Sequence, residues 1–182
     1  MQEPILRETL LTKETLYQGA ILDVEKWQAQ LPNGAIAVRE IVRHKGAAAV
    51  VALDAQNNVL LVRQWRCPLN RLTLEIPAGK LDHAGEDPLQ CAMRELKEET
   101  GYTAQSWKLL TPMVSTPGFC DERIHLYLAQ DLAQGEARPD EDEFLAIARL
   151  PLKEAVDKAM GGVLQDAKTA LGILMAWHTI NG

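Results

Sequence analysis

The 182-residue sequence predicts an α/β fold, a mixed sheet packed by helices and preceded by a small antiparallel β unit. Three observations predict it. Strand-like apolar runs and helix-like periodic segments interleave along the chain instead of segregating. Two early apolar runs flank Pro32-Asn33-Gly34, and Asn-Gly between strand patterns is a hairpin signal. The segment from Asp87 to Gly101 carries both a helix start and a helix stop.

The elements follow in order. Apolar residues alternate through Ile21, Leu22, Val24 and Trp27, and again through Ile36, Val38 and Val42, the period of a strand. Ala47 to Leu53 reads as a buried strand and Val59 to Gln64 as a second one, with turn residues Asp54 to Asn58 between them. "LTLEIPAGKL" is strand-like as far as Pro77. Later strands are predicted at Trp107 to Met113, Ile124 to Ala129 and Leu145 to Leu150. Pro151 to Met160 reads as a short helix. Val163 to Thr179 reads as an amphipathic helix with Leu164, Ala167, Leu171 and Leu174 on its apolar face.

Composition narrows the function classes. A formal net charge of −6 argues against a surface that wraps nucleic acid. An anionic small substrate stays compatible, because a bound metal can invert the local sign. No apolar run approaches the length of a membrane span, and "MQEPILRETLLTKE" has no apolar signal core. Cys67, Cys91 and Cys120 are odd in number and lack close pairs, so neither a disulfide framework nor a zinc ribbon is expected. Reduced thiols in a cytoplasm are the default reading.

The segment before Gly101 is the most informative. Asp87 can cap a helix, Pro88 suits its first position, Gln90 can close a capping box and Gly101 stops it. Leu89, Ala92, Met93, Leu96 and Thr100 fall at helical spacing toward a core. Opposite them come Glu95, Glu98 and Glu99, three carboxylates at i, i+3 and i+4 on one face. A solvated helix face explains them, with Arg94 to Glu98 as an i,i+4 pair. Crowding like charges at a helix C-terminus nevertheless opposes the macrodipole by about 0.3–1 kcal/mol. A divalent cation is the alternative explanation, since Mg²⁺ takes oxygen ligands, commonly one or two carboxylates.

Gly79, Glu86 and "RELKEETGY" (Arg94 to Tyr102) resemble the box of the Nudix hydrolases, G-x5-E-x7-R-E-U-x-E-E-x-G-U with U apolar. Two departures stand out: "KLDHAG" makes the first spacer one residue longer, and Tyr102 is amphipathic at the last apolar position. "RHKGAAAVVAL", "VRQWR", "LEIPAGK" and "TPGFCDE" are similar to blocks of one branch, the ADP-ribose pyrophosphatases and related nucleoside-diphosphate-sugar hydrolases. Pro117, sixteen positions beyond Gly101, resembles a proline associated with ADP-ribose activity, and "DEDEF" resembles an acidic loop.

The resemblance implies an α/β/α sandwich over residues 45–182, a dimerising β segment over 1–44 that also contacts substrate, and Mg²⁺ or Mn²⁺ as cofactor. It implies Glu95, Glu99 and the Ala78 carbonyl as metal ligands, with Glu98 as a helper. Arg94 would orient the glutamates, and Gly79 would allow close backbone approach. Glu86 and Gly101 complete the motif. Glu143, or nearby Glu141, would act as the base or as a metal ligand. The implied substrate is a nucleoside diphosphate sugar, ADP-ribose first, and the implied assembly a homodimer. A Nudix-fold sensor that binds without cutting would be expected to lose a box carboxylate, and here all are present.

Other residues keep two readings. Arg66 is either a strand-end surface arginine or a diphosphate contact. Glu75 interrupts an apolar strand and needs a partner, through an ion pair or through substrate. Trp27 suits stacking on a base, or burial in a core or interface. Arg43 and His44 precede the buried strand, where Arg43 is a substrate-contact candidate and His44 a cap. Glu143 sits in a charge run of the kind that is usually solvated. His44, His83, His125 and His178 have no metal-ligand spacing, and Ser115 and Cys120 lack a paired base.

Overall fold

The computed structural model describes residues 6–82, 85–137 and 144–182. Its strands are β1 (Thr9–Gln18), β2 (Leu22–Gln30), β3 (Ile36–His44), β4 (Ala47–Ala52), β5 (Asn58–Arg66), β6 (Arg71–Glu75), β7 (Ala78–Lys80), β8 (Tyr102–Val114), β9 (Arg123–Gln134) and β10 (Ala146–Pro151). Its helices are α1 (Pro88–Thr100), α2 (Leu152–Met160) and α3 (Ala167–Asn181), with a 3-10 turn at Cys67–Leu69. The chain divides into two compact units, Met1–Lys45 with Val114–Arg123, and Gly46–Met113 with Ile124–Gly182. Among the described residues, no helix is long and apolar enough to cross a membrane.

In the first unit β1, β2 and β3 form an antiparallel sheet in that order. The β2–β3 hairpin runs in register from Leu22 opposite His44 to Gln30 opposite Ile36. Its turn is the Asn-Gly one: Gly34 sits at φ 86°, and Asn33 Oδ1 accepts the Ala35 N–H at 3.0 Å. Strand β1 was not anticipated. All ten of its residues are exposed, so it lacks the alternation that burial on one face writes into a sequence. The segment after Val114 joins β3, with Val42 N–H donating to Phe119 O at 2.7 Å.

The second unit holds a mixed four-stranded sheet, β7-β4-β9-β8, and an antiparallel sheet, β10-β5-β6. Strand β4 pairs parallel with β9 and antiparallel with β7. All six of its residues are buried, because both its faces are covered. Ala47, Ala49 and Val51 share one core with Ile173 and Ala176 of α3; Ala48, Val50 and Ala52 share the other with Ala92 and Leu96 of α1. A strand covered on both faces reads as continuous apolar sequence rather than as alternation.

The last helix departs from expectation. It starts at Ala167, capped by Asp166, and it buries Lys168, Thr169, Gly172, Ile173 and Ala176. Ala167 and Leu171, expected on the apolar face, are exposed. The helix is seated by close approach instead of by bulk. A Cβ on Gly172 would lie 2.9 Å from Val51 Cγ2, and Thr169 Oγ1 accepts the Ile76 N–H at 2.9 Å.

Candidate active site

Helix α1 begins and ends as its residues dictate. Asp87 Oδ1 accepts the Leu89 N–H at 3.0 Å, Pro88 occupies the first turn, and Gly101 closes the helix at φ 76° with its N–H on Lys97 O at 2.8 Å. The orientation of the glutamates differs from the expected one. Glu95 and Glu99 are 8% and 4% exposed, while Glu98 is only partly buried. Cys91, Glu95 and Glu99 are spaced i, i+4, i+8, so they form one ridge beside Ala92 and Leu96, and that ridge faces β7.

Strand β7 receives both carboxylates. Glu99 Oε2 accepts the Ala78 N–H at 3.2 Å. The Glu95 carboxylate lies over the bare α-carbon of Gly79, where a Cβ would fall 1.8 Å from Oε1. Gly79 therefore supplies space, and any side chain there would displace the glutamate.

Arg94 gathers the remaining acids. Its Nη1 donates to Glu95 Oε1 at 2.7 Å and to Glu98 Oε2 at 3.1 Å; its Nη2 donates to Lys80 O at 3.2 Å. Asp82 and Glu86 approach Nη2 at 3.3 and 3.6 Å. Burial acts to lower the Arg94 pKa, but Glu95, Cys91 and Glu98 outweigh it and raise it, so the guanidinium stays charged. Glu86 also accepts the Asp82 N–H at 2.6 Å, so the longer loop still delivers this carboxylate to Arg94. Burial, with the Glu95 charge adding to it, pushes the Cys91 thiol up to about 12.

Arg66 and Glu75 find each other. Arg66 Nε and Nη2 donate to the two Glu75 oxygens at 2.8 and 2.6 Å, a bidentate pair between β5 and β6. Thr73 Oγ1 donates to Glu75 at 2.6 Å, and Lys168 Nζ donates to its other oxygen. Burial raises the Glu75 pKa, but Arg66 and Lys168 overcome it and hold the carboxyl down at about 2. The Arg66 pKa is raised, first by Glu75, against burial, with a smaller contribution from Glu99. The pair therefore lies within electrostatic reach of the glutamate helix. It opens on a cleft of about 970 Å³ between β6 and the start of α3. Lys168 and Asp166 were not anticipated. They lie more than ninety residues from Glu75, and no local pattern announces such a pairing.

Trp27 and Arg43 belong to the first unit. Trp27 Nε1 donates to Glu25 at 2.7 Å, and Arg43 pairs with Asp121 at 2.9 Å. Glu141 and Glu143 lie outside the described residues.

A protein-family model described as "NUDIX domain" matches residues 42–171. The chain belongs to the Nudix family. It is 42% identical over 170 residues to an ADP-ribose pyrophosphatase of Bacillus subtilis (strain 168), covering 92% of this chain and 91% of that one. It is 41% identical over 171 residues to a methanol dehydrogenase activator of Bacillus methanolicus, covering 93% and 92%. Its fold matches a crystal structure of an ADP compounds hydrolase with a TM-score of 0.81 at 24% identity, covering 100% of this chain and 98% of the other.

Proposed function

We propose that the protein hydrolyses the pyrophosphate bond of a nucleoside diphosphate sugar with a divalent cation, Mg²⁺ or Mn²⁺, and that ADP-ribose is its substrate, giving AMP and ribose 5-phosphate. The observation that carries this is the pair Glu95 and Glu99, buried side by side on α1 and seated against Gly79 and Ala78. The relative named ADP-ribose pyrophosphatase supports the substrate.

The donors suit a hard cation. Among the described residues, no group of three or more His, Cys, Asp and Glu side chains is gathered as a metal site. Mg²⁺ does not require one, since it commonly takes one or two carboxylates and fills its octahedron with water and substrate phosphate. Glu95, Glu99 and the Ala78 carbonyl would hold it, with Glu98 assisting. When bound, the cation offsets pyrophosphate charge and makes water more acidic. Arg94 orients Glu95 and Glu98 through the hydrogen bonds of its Nη1. Arg66 and Glu75 contact the diphosphate and sugar in the adjoining cleft. Glu143, or Glu141, takes the proton from the attacking water. Trp27 and Arg43 contribute to base recognition.

The protein acts as a cytoplasmic homodimer, with residues 1–44 as the dimerising segment. Leu10, Leu16 and Tyr17 of the fully exposed strand β1 support this, since an uncovered apolar strand invites a partner.

Purified protein, ADP-ribose, Mg²⁺ and alkaline phosphatase test the reading. Intact ADP-ribose has no terminal phosphate, so released phosphate requires cleavage of the pyrophosphate. Glu99→Gln should remove most activity while leaving the circular dichroism unchanged, and EDTA should silence the wild type. Turnover confined to GDP-mannose or another nucleotide sugar would change the substrate. Binding without turnover of any would make the protein a sensor.

A further inference from the structure

Tyr102 stands where the motif takes an apolar residue, and the proposed reaction makes no use of its hydroxyl. Its ring is 9% exposed and packs in the core that holds Ala92 and Leu96 of α1. The hydroxyl accepts a hydrogen bond from Arg149 Nη2, and the Arg149 guanidinium lies 5.5 Å from the ring centroid. These residues come from different sheets. Tyr102 opens β8, and Arg149 lies on β10 opposite Leu60 of β5. A hydrogen bond from a charged donor is the stronger kind, and a cation beside an aromatic ring adds to it.

The geometry makes this bond a lever on the helix end. Only Gly101 separates α1 from β8, so Glu99 is three residues from Tyr102. Gly101 O accepts the Gly135 N–H at 2.8 Å, and a Cβ on Gly101 would lie 2.6 Å from Ala137 N. The helix end is thus held by backbone on one side and by the Tyr102–Arg149 bond on the other. Arg66 and Glu75 belong to the same sheet as Arg149. The two halves of the candidate site, buried glutamates and bidentate arginine, therefore lie on elements that this bond ties together.

We propose that Tyr102 and Arg149 are positioning residues, whose bond sets the carboxylates at the end of α1 against the Arg66–Glu75 pair. The inference rests on the hydrolase reading and deepens it. The test is steady-state turnover of ADP-ribose by the full-length wild type, Tyr102→Phe, Arg149→Met, Arg149→Lys and the Phe/Met double variant, with Mn²⁺ affinity measured for each. Tyr102→Phe keeps the buried ring, so its fold should survive, and melting temperature checks it. Each of the first two variants should lower kcat about tenfold, the effect of a displacement smaller than the roughly 1 Å that costs about 100-fold, with KM little changed. The double variant should be no slower than the worse single one, because the two residues act through one bond. Arg149→Lys should recover part of kcat. A wild-type kcat in Tyr102→Phe, or single losses that multiply in the double variant, would overturn the proposal. A wild type that fails to cleave ADP-ribose would refute that substrate, and one that cleaves no nucleotide sugar would refute the hydrolase reading by itself. The positioning role would then be judged by Mn²⁺ affinity, weaker in Tyr102→Phe if it holds and equal to wild type if it does not.

Discussion

Gly79→Ala puts the reading of the site under the most direct strain. The new Cβ would fall 1.8 Å from Glu95 Oε1 and 2.0 Å from Glu95 Cδ, so carboxylate and methyl cannot share the space. What gives way is the end of a flexible side chain, not backbone, so Glu95 rotates out. Its 2.7 Å bond to Arg94 Nη1 goes with it. Small overpacking of this kind costs about 1–3 kcal/mol, and relief by rotation places Gly79→Ala near the lower end. Catalysis should suffer far more. The carboxylate would move by more than an ångström, and misplacement on that scale costs about 100-fold in rate. The assay pairs urea denaturation with turnover of ADP-ribose in wild type, Gly79→Ala, Glu95→Gln and the double variant. We expect a modest loss of stability, a large loss of kcat, and a double variant no slower than Glu95→Gln alone. Full activity in Gly79→Ala would refute the reasoning, since the reaction would then not need Glu95 where it lies. Independent losses that multiply in the double variant would refute the claim that Gly79 acts by making room for Glu95.

Two further predictions concern groups with displaced pKa values. The Glu75 carboxyl is held at about 2, below its ordinary 4.5, so its ionised form stabilises the fold. That contribution is fully present above about 4.5 and is lost as pH falls toward 2, on the order of 3 kcal/mol in all. The stability gap between wild type and Glu75→Gln, from urea melts, should therefore be wide at pH 7 and close across that window; a gap independent of pH would contradict it. The Cys91 thiol, buried and pushed up to about 12, should resist iodoacetamide at pH 8, while exposed Cys67 is alkylated. Peptide mass mapping that found Cys91 labelled in the folded protein would show that α1 opens from β7.

The features legible in the sequence are those written within one or two turns of chain. Asp87, Pro88 and Gly101 announce the ends of α1, and Asn33-Gly34 announces the hairpin, because caps and turns are set by their own residues. The unbroken apolar run of β4 announces a strand buried on both faces. Strand β1 escapes notice because it covers nothing, and its burial pattern is uniform. Leucine spacing points to the wrong face of α3, where Ala167 and Leu171 are exposed and small residues are buried. Gly172 and Thr169 seat that helix by close approach and one hydrogen bond, which hydropathy does not register.

The same limit applies to the face on which the glutamates lie. Charge at i, i+3 and i+4 reads as a solvent face, because most charged faces are solvated. Burial of Glu95 and Glu99 depends on what β7 offers them, an N–H at Ala78 and an empty α-carbon at Gly79, fifteen or more residues earlier in the chain. Burying two like charges is costly unless something compensates, and a charged Arg94 reaching four carboxylates supplies part of that compensation. Arg94 lies beside Glu95 and Glu98, while Glu99 is engaged by a backbone N–H. Arg66 on the neighbouring sheet also lies within electrostatic reach of Glu99. Buried, partnered carboxylates packed against a bare strand end need a reason that a solvated helix face does not, and so their burial adds to the spacing as grounds for testing this helix as the site of chemistry.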